Sequence, residues 1–341
     1  MYIAADLSGP CQGGRLTIGR RLATRPTSFE RIHIYIARSF SYTAIRESRL
    51  WGIIICLVTT GFQLGEPIMK EKIRLGKVQE TLLVPLYARA MESRQKRPIL
   101  RDTKAVEMVD AIDWDYQRFG QRLRIVACTL RCSVFDKWVV EFLRLHPDAT
   151  VVEIGAGLNT RFERLDNGRV HWFDLDLPDV VELRRRFFQD SERRTTLAGS
   201  VVDADWVAAV QRSPGPYLFV AETVLVYLNE RDARAALTQI AGNFPGAAIA
   251  FDTCSPDAVR RGNKDFVRRK MAARFDWACE DPREIEGWNI GLHLVKSHSF
   301  LDGSGGLQSR VSWWMSACFR IVRMLWPKLL SAYRLNLFER R

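Results

Sequence analysis

A parallel-sheet α/β fold is what this sequence predicts, and three observations predict it. β-rich runs alternate with helical stretches from Thr150 to Asp252. A glycine turn, Gly155-Ala156-Gly157, directly follows the first run. Acidic residues, Asp174 and Asp176, end the second run about twenty residues on, the spacing of a nucleotide-binding βαβ unit. Strand–helix alternation implies βαβ units, and their crossovers are right-handed. The chain has 341 residues, 47% hydrophobic and 26% charged, enough apolar material to cover both faces of such a sheet.

The elements follow in order. Val78, Leu82, Leu83, Leu86, Tyr87 and Ala90 recur at helical spacing, and Pro98 breaks that run. A second helix reads through Ala105–Ile112 and a third through Ser133–Leu145, ending at Pro147. The strands read as Thr150–Ile154, Val170–Asp176, Thr196–Val201, Pro216–Ala221 and Ala247–Asp252, with helices at Val180–Phe188 and Arg231–Ile240. A helix-like stretch, Val311–Leu330, is interrupted at Pro327, and Tyr333–Phe338 alternates like a terminal strand. The organisation is therefore an unpatterned extension over 1–68, a helical lid over 69–146 and an α/β core over 147–341.

The extension contains no Lys and no sustained periodicity. Three readings fit it: an over-extended start with the working chain beginning at Met69, a loosely folded extension, or an Arg/Ser-rich targeting peptide. Its apolar run, Trp51–Phe62, falls short of the roughly 20 residues that span a bilayer. No membrane association is expected.

The formal net charge is +12, which suits nucleic acid, an anionic surface or an acidic substrate. The basic residues are scattered, however. The densest groups, Arg184-Arg185-Arg186 and Arg268-Arg269-Lys270, read as solvated helix faces. Seven dispersed cysteines, with no metal-ligand spacing, read as reduced thiols of a cytoplasmic protein, and no metal is expected.

The sharpest signal is the turn after the first strand. Glycine tolerates positive φ and lets a ligand approach the backbone. Such a loop lies at the carboxyl ends of the strands, where open α/β sheets bind ligands. A carboxylate at the end of the second strand accepts hydrogen bonds from both ribose hydroxyls of an adenosine cofactor. Asp176 is the expected ribose ligand and Asp174 its neighbour. A dinucleotide fingerprint needs a third glycine, and Thr160 stands there, so S-adenosylmethionine (SAM) is favoured over NAD. An NAD(P)-dependent oxidoreductase is the alternative, as is a protein that binds SAM without turnover. Amino-methylating enzymes of nucleic acids commonly carry N/D-P-P-Y/F after the fourth strand. AETVLVY stands there instead, so no nucleic-acid partner is expected.

EIGAGLNTRFERL, HWFDLDLPDVVELRRRFF, FVAETVLVYL and the closing YRLNLFER resemble the leucine carboxyl methyltransferase family, in its bacterial branch of polyketide O-methyltransferases. The resemblance covers roughly Gly76 to the last residue. It implies a Rossmann-like class I SAM-dependent methyltransferase with a mostly parallel seven-stranded sheet, acting on an oxygen of a small molecule. It also implies roles for single residues. Gly155 and Gly157, with Glu153 before them, line the methionine and ribose of SAM. Asp176 holds the ribose, and Ser200-Val201 flank the adenine. Many relatives have Asp-Leu at that pair, so the adenine N6 contact is open, and Asp203 is a substitute. Glu222 meets the methionine amino group, and Arg131 meets the SAM carboxylate, with Arg124 as the fallback. The family's Asp in GLDTR is Asn159 here.

Methyl transfer from a sulfonium is an in-line displacement. Holding nucleophile, methyl carbon and sulfur collinear can contribute roughly 7–11 kcal/mol. A carboxylate is already ionised at pH 7 and needs no general base, so no catalytic residue is assigned. A phenol acceptor would want a base, for which His293 and His298 are the candidates. An acidic acceptor could be oriented by Arg161 or Arg164. The acceptor pocket is expected between the N-terminal helices, the Phe251–Pro256 loop and the tryptophans Trp277, Trp288, Trp313 and Trp314. Tyr227 reads as core or pocket wall.

Overall fold

The computed structural model describes residues 79–116, 122–299 and 332–341. The extension over 1–68, the helix-like stretch Val311–Leu330, Trp313 and Trp314 lie outside the described residues.

A seven-stranded sheet forms the centre. Its strands are β1 (Thr150–Ile154), β2 (His171–Asp176), β3 (Arg194–Ala198), β4 (Tyr217–Ala221), β5 (Ala248–Cys254), β6 (Leu292–His298) and β7 (Tyr333–Arg340). The order is β3-β2-β1-β4-β5-β7-β6. β1 to β5 pair in parallel, while β7 runs antiparallel to β5 and to β6. The expected seven-stranded, mostly parallel sheet is borne out. β1 lies between β2 and β4, so the strand order reverses there and the loops after β1 and β4 diverge to opposite sides, leaving a crevice.

β1 and β5 are buried at every residue, as a parallel strand covered on both faces must be. One face packs Val152, Ile154, Phe219 and Phe251 against Leu237 and Ile240 of a helix over Glu230–Asn243. The other packs Val151, Trp172 and Leu218 against Val134, Phe135, Trp138 and Leu143. These last belong to α3 (Arg122–Leu145), eleven residues longer at its start than the sequence predicted. The C-terminal half of this helix is thus part of the sheet's cover rather than a lid. α1 (Leu83–Ser93) and α2 (Thr103–Ala111) form a third cluster with Leu158 in the glycine loop and with Leu183 and Phe188. The N-terminal helices therefore sit directly on the turn after β1.

Counting on from α3, the further helices are α4 (Arg161–Leu165), α5 (Pro178–Arg184), α6 (Val207–Val210), α7 (Glu230–Asn243) and α8 (Pro256–Arg268). Four of these elements escape the sequence reading: the short helices α4 and α6, and the longer β6 and α8. β6 is a sheet edge with a register shift between Leu294 and Lys296, and only Leu292 in it is buried, so it lacks alternation. α8 buries no residue fully, although Ser255 caps it by accepting from the Ala258 N–H (3.3 Å). β5 extends to Cys254, so Phe251–Cys254 is strand and not loop. No helix among the described residues is long and apolar enough to cross a membrane.

Candidate functional site: a two-lobed cleft at the strand ends

The chain leaves β1 through Gly155 (φ +61°) and Gly157 (φ +49°), both in the left-handed region. A Cβ on Gly155 would stand 2.4 Å from Val224 Cγ2, and one on Gly157 would stand 2.8 Å from Leu82 Cδ2. Conformation disfavours a side chain at both positions, and at Gly155 the Val224 methyl also closes the space. Asp176, at the end of β2, clamps the turn. Its Oδ2 accepts from the Gly157 N–H (2.6 Å) and its Oδ1 from the Leu177 N–H (2.7 Å). Burial pushes the Asp176 carboxyl up to about 6, against the opposing pull of those two N–H groups.

A cleft runs along this turn in two adjoining lobes of about 270 and 180 Å³. Both are bordered by Gly155, Leu82, Thr223 and Tyr227. The smaller lobe is apolar and takes in Asp176, Leu177, Ser200 and Val201. The larger is bordered by Glu153, Gly157, Glu222, Arg89, Arg124 and Arg131. Eight of the nine expected site residues are thus joined in one cleft, together with the fallback Arg124. The exception is Asp174. It is buried and its Oδ2 meets Arg194 Nε (2.7 Å) and Arg184 Nη2 (2.8 Å). It borders neither lobe, because it lies below the strand end and α5 and β3 cover it with guanidinium groups. Asp203 is exposed and outside the cleft as well.

Beneath the larger lobe lies a buried web of charges. Arg161, with a side chain 0% exposed, gives Nε to Asp136 Oδ1 (2.8 Å), Nη1 to Glu153 and Nη2 to Glu222 Oε2 (2.5 Å). Arg131 Nε meets Glu222 Oε1 (2.8 Å). Arg164 Nη2 meets Asp136 Oδ1 (2.9 Å) and Arg89 Nε meets Asp102 Oδ2 (2.8 Å). Burial by itself would raise Glu222 and Asp136, but the arginines hold both below the usual carboxylate range. Glu153 is different. Burial outweighs Arg161 and raises its carboxyl. Its Oε1 accepts from Asn159 Nδ2 (2.9 Å), while its Oε2 is buried and has no hydrogen-bond partner among the described residues. An aspartate at 159 would bring a second anion to Glu153, and the amide brings a donor instead.

Several expectations are corrected here. Arg161 and Arg164 cannot orient an acceptor, because they are buried and bound to the web. Glu222 is not corrected: it borders the larger lobe as expected, with a guanidinium on each oxygen. Arg184 is not a solvated face: it is 1% exposed and donates Nη1 to the carbonyls of Gly157 (2.8 Å) and Asn159 (2.9 Å), bracing the glycine loop from beneath. Trp277 and Trp288 lie against each other (6.0 Å) beside the core, away from the cleft. Its aromatic wall is Tyr227, Phe266 and Phe275 instead, with centroids 4.9–6.4 Å apart. His293 is half-exposed on β6 beside Glu286 (3.8 Å), and His298 lies beside Trp138 (6.0 Å), so neither borders the cleft.

Thr223 has φ +56°, unusual for a β-branched residue. Asp252 holds it there, accepting from the Thr223 N–H (2.8 Å) and Oγ1 (3.0 Å), and Tyr333 of β7 donates to the same carboxylate. The reach of Asp252 across three strands was missed. Its signal was an acid inside an apolar strand, which needs a partner when buried.

Comparison with known proteins gives the same assignment. The model of the leucine carboxyl methyltransferase family matches residues 83–241. The tetracenomycin polyketide synthesis O-methyltransferase TcmP of Streptomyces glaucescens is 37% identical over 272 residues, 78% of this chain and 98% of that protein. An S-adenosyl-L-methionine-dependent methyltransferase, dpfgK, of Gibberella zeae is 28% identical over 67% of this chain and 84% of its own length. Among solved structures, a DUF574 family protein from Streptomyces avermitilis shares the fold, with a TM-score of 0.51 at 11% identity, over 76% of this chain and 97% of that one.

Proposed function

The chain belongs to the leucine carboxyl methyltransferase family and is a SAM-dependent O-methyltransferase; on that premise we propose how its cleft divides the cofactor and which oxygen receives the methyl group. Asp176 accepts the ribose hydroxyls. Ser200 and Val201 flank the adenine in the apolar lobe. Gly155 and Gly157 run alongside the ribose and methionine. Arg131 takes the methionine carboxylate, and Glu153 joins Glu222 in facing the amino group. The observation that carries this reading is Glu153, which borders the larger lobe and whose buried Oε2 has no hydrogen-bond partner among the described residues. Such an atom costs free energy unless a donor arrives, and an α-ammonium is one.

Bound SAM supplies an electrophilic methyl group on its sulfonium. The chain's own residues exclude water and set the line of attack. Thr223 and Tyr227 border both lobes and so stand where they meet. The acceptor oxygen is a carboxylate of a small aromatic molecule of polyketide type. The name of the Streptomyces relative supports that class. Among the described residues bordering the cleft there is no histidine, and burial pushes the Tyr227 phenol up to about 12, far from a base at neutral pH. A carboxylate nucleophile needs neither. The four described cysteines are free thiols, which suits the reducing cytoplasm, where we place the protein.

Calorimetry with SAM and its demethylated product (SAH) tests the cofactor half. Binding is expected for the parent and a loss of tenfold or more for Asp176→Ala; NADH and NADPH give no heat. An Asp176→Ala variant that binds like the parent defeats the assignment. For the oxygen, tritium carried from labelled SAM into an aromatic acid should leave as methanol under mild alkali. Label that resists alkali would mean an ether and a phenolic acceptor.

A further inference from the structure

We propose that Arg124 is the anion-binding residue of the acceptor site, pairing with a negatively charged group of an aromatic acceptor at the mouth of the cleft. The inference rests on the reading that the deeper cleft belongs to SAM.

Charge placement carries it. Inside the cleft, the guanidinium groups of Arg89, Arg131, Arg161 and Arg164 are matched by Asp102, Asp136, Glu153 and Glu222. The mouth is not balanced in this way. Arg124 on α3 reaches Asp265 on α8 (2.5 Å), and Arg268 (2.5 Å) and Arg269 (3.0 Å) approach the same carboxylate. Among the described residues, Arg124 and Arg268 have this one carboxylate between them, and it neutralises no more than one of the two. Burial would raise Asp265, but its hydrogen bonds from Arg124 and Arg269 hold it below the usual range, so it stays an anion.

Position fits as well. Arg124 and Asp265 each keep 22% of their side chains exposed and both border the larger lobe. The interior arginines Arg161 and Arg164 are 0% and 6% exposed. The wall of Tyr227, Phe266 and Phe275 borders the same lobe as Arg124. A flat ring has apolar surface to cover there, while a fork of N–H donors on a half-buried arginine suits a carboxylate or sulfonate. Methyl transfer occurs where the two lobes meet, and Arg124 borders only one of them. It therefore orients the acceptor without touching the reacting methyl.

The experiment titrates 2-naphthoate and its neutral counterpart 2-naphthol into the full chain with and without saturating SAH, following calorimetric heat. The parent is expected to prefer naphthoate. Arg124→Gln should weaken naphthoate about tenfold or more, leave naphthol unchanged and leave SAH affinity unchanged. Asp265→Asn also removes the α3–α8 ion pair but leaves the arginine, and should hold or raise naphthoate affinity. The proposal is overturned if the parent does not discriminate the two probes, or if Arg124→Gln binds naphthoate like the parent. It is equally overturned if Asp265→Asn loses as much as Arg124→Gln, which would make the pair a tether. Loss of SAH affinity in Arg124→Gln would assign this arginine to the cofactor instead. A parent that bound naphthoate but no SAH would defeat the cofactor reading alone.

Discussion

The two ends of the cleft manage charge in opposite ways. Around the glycine turn, cations and anions are buried, paired one against another and fixed by several hydrogen bonds each. At the mouth, Arg124 and Arg268 share one partly exposed carboxylate among the described residues, and the helix that carries it buries no residue fully. A site for one unvarying cofactor can be set permanently. A site that admits and releases an acceptor has to keep its charges wet and its wall movable. The difference teaches that invariance of the ligand is paid in buried pairs, whose removal is costly, whereas the mouth can change cheaply.

That contrast can be broken first at Arg161. Arg161→Met strands Asp136, Glu153 and Glu222 without their shared cation, and breaking a buried pair costs about 3–5 kcal/mol. Urea denaturation should show a loss of that size, or no folded protein. A loss below ~1 kcal/mol would mean that the web relaxes and that the interior is no stiffer than the mouth. Next is Arg184→Met, which frees the Gly157 and Asn159 carbonyls while Arg194 still holds Asp174. About 2 kcal/mol of stability should go, together with tenfold or more in SAM affinity. An unchanged SAM affinity would show that the glycine loop holds its shape unaided.

A pH series sharpens the comparison. The Asp176 carboxyl titrates at about 6 in the free protein. SAM affinity should therefore rise as pH increases through about 6, by at most tenfold per unit below it, and flatten above. Asp176→Asn should abolish the inflection. The free protein behaves oppositely. A folded carboxyl raised above its unfolded value near 4 binds more protons when folded, so this group's contribution to stability falls between about pH 4 and 6. Smallest is Arg268→Ala at the mouth. Its side chain is 70% exposed and its pair with Asp265 is solvated, so the change in stability should stay within about 0.5 kcal/mol. A larger loss would place the mouth in the same class as the interior.

Legibility in the sequence followed the same divide. Thr150–Ile154 and Ala247–Asp252 were readable because fully buried parallel strands are continuous apolar runs bounded by turns. The glycines and Asp176 were readable because backbone conformation and strand-end position are local properties. Arg184 reads as a solvated face, and Arg161 and Arg164 as acceptor-facing residues, because an arginine in sequence defaults to an accessible position. Their carboxylate partners lie 8 to 62 residues away along the chain. Burial of Glu153 inside TVVEI and of Glu222 after FVA was the available clue, since each acid demanded a cation that some distant arginine had to supply. β6 and α8 were hidden for another reason. Both lie at the periphery, where one-sided contact leaves neither alternation nor a buried stripe.

The position of β7 has a consequence for how this chain is made. It comes last among the described strands, yet it lies between β5 and β6 and presents Tyr333 to Asp252. Of the described strands only β7 pairs with β6, so during synthesis β6 emerges before that partner, and Thr223 waits for part of its support. Both must stand open until the segment from 333 to 340 threads between them. A nascent chain stalled before that point would expose two unsatisfied sheet edges, so chaperone dependence and early truncation should fall hardest on the half of the sheet furthest from the glycine turn.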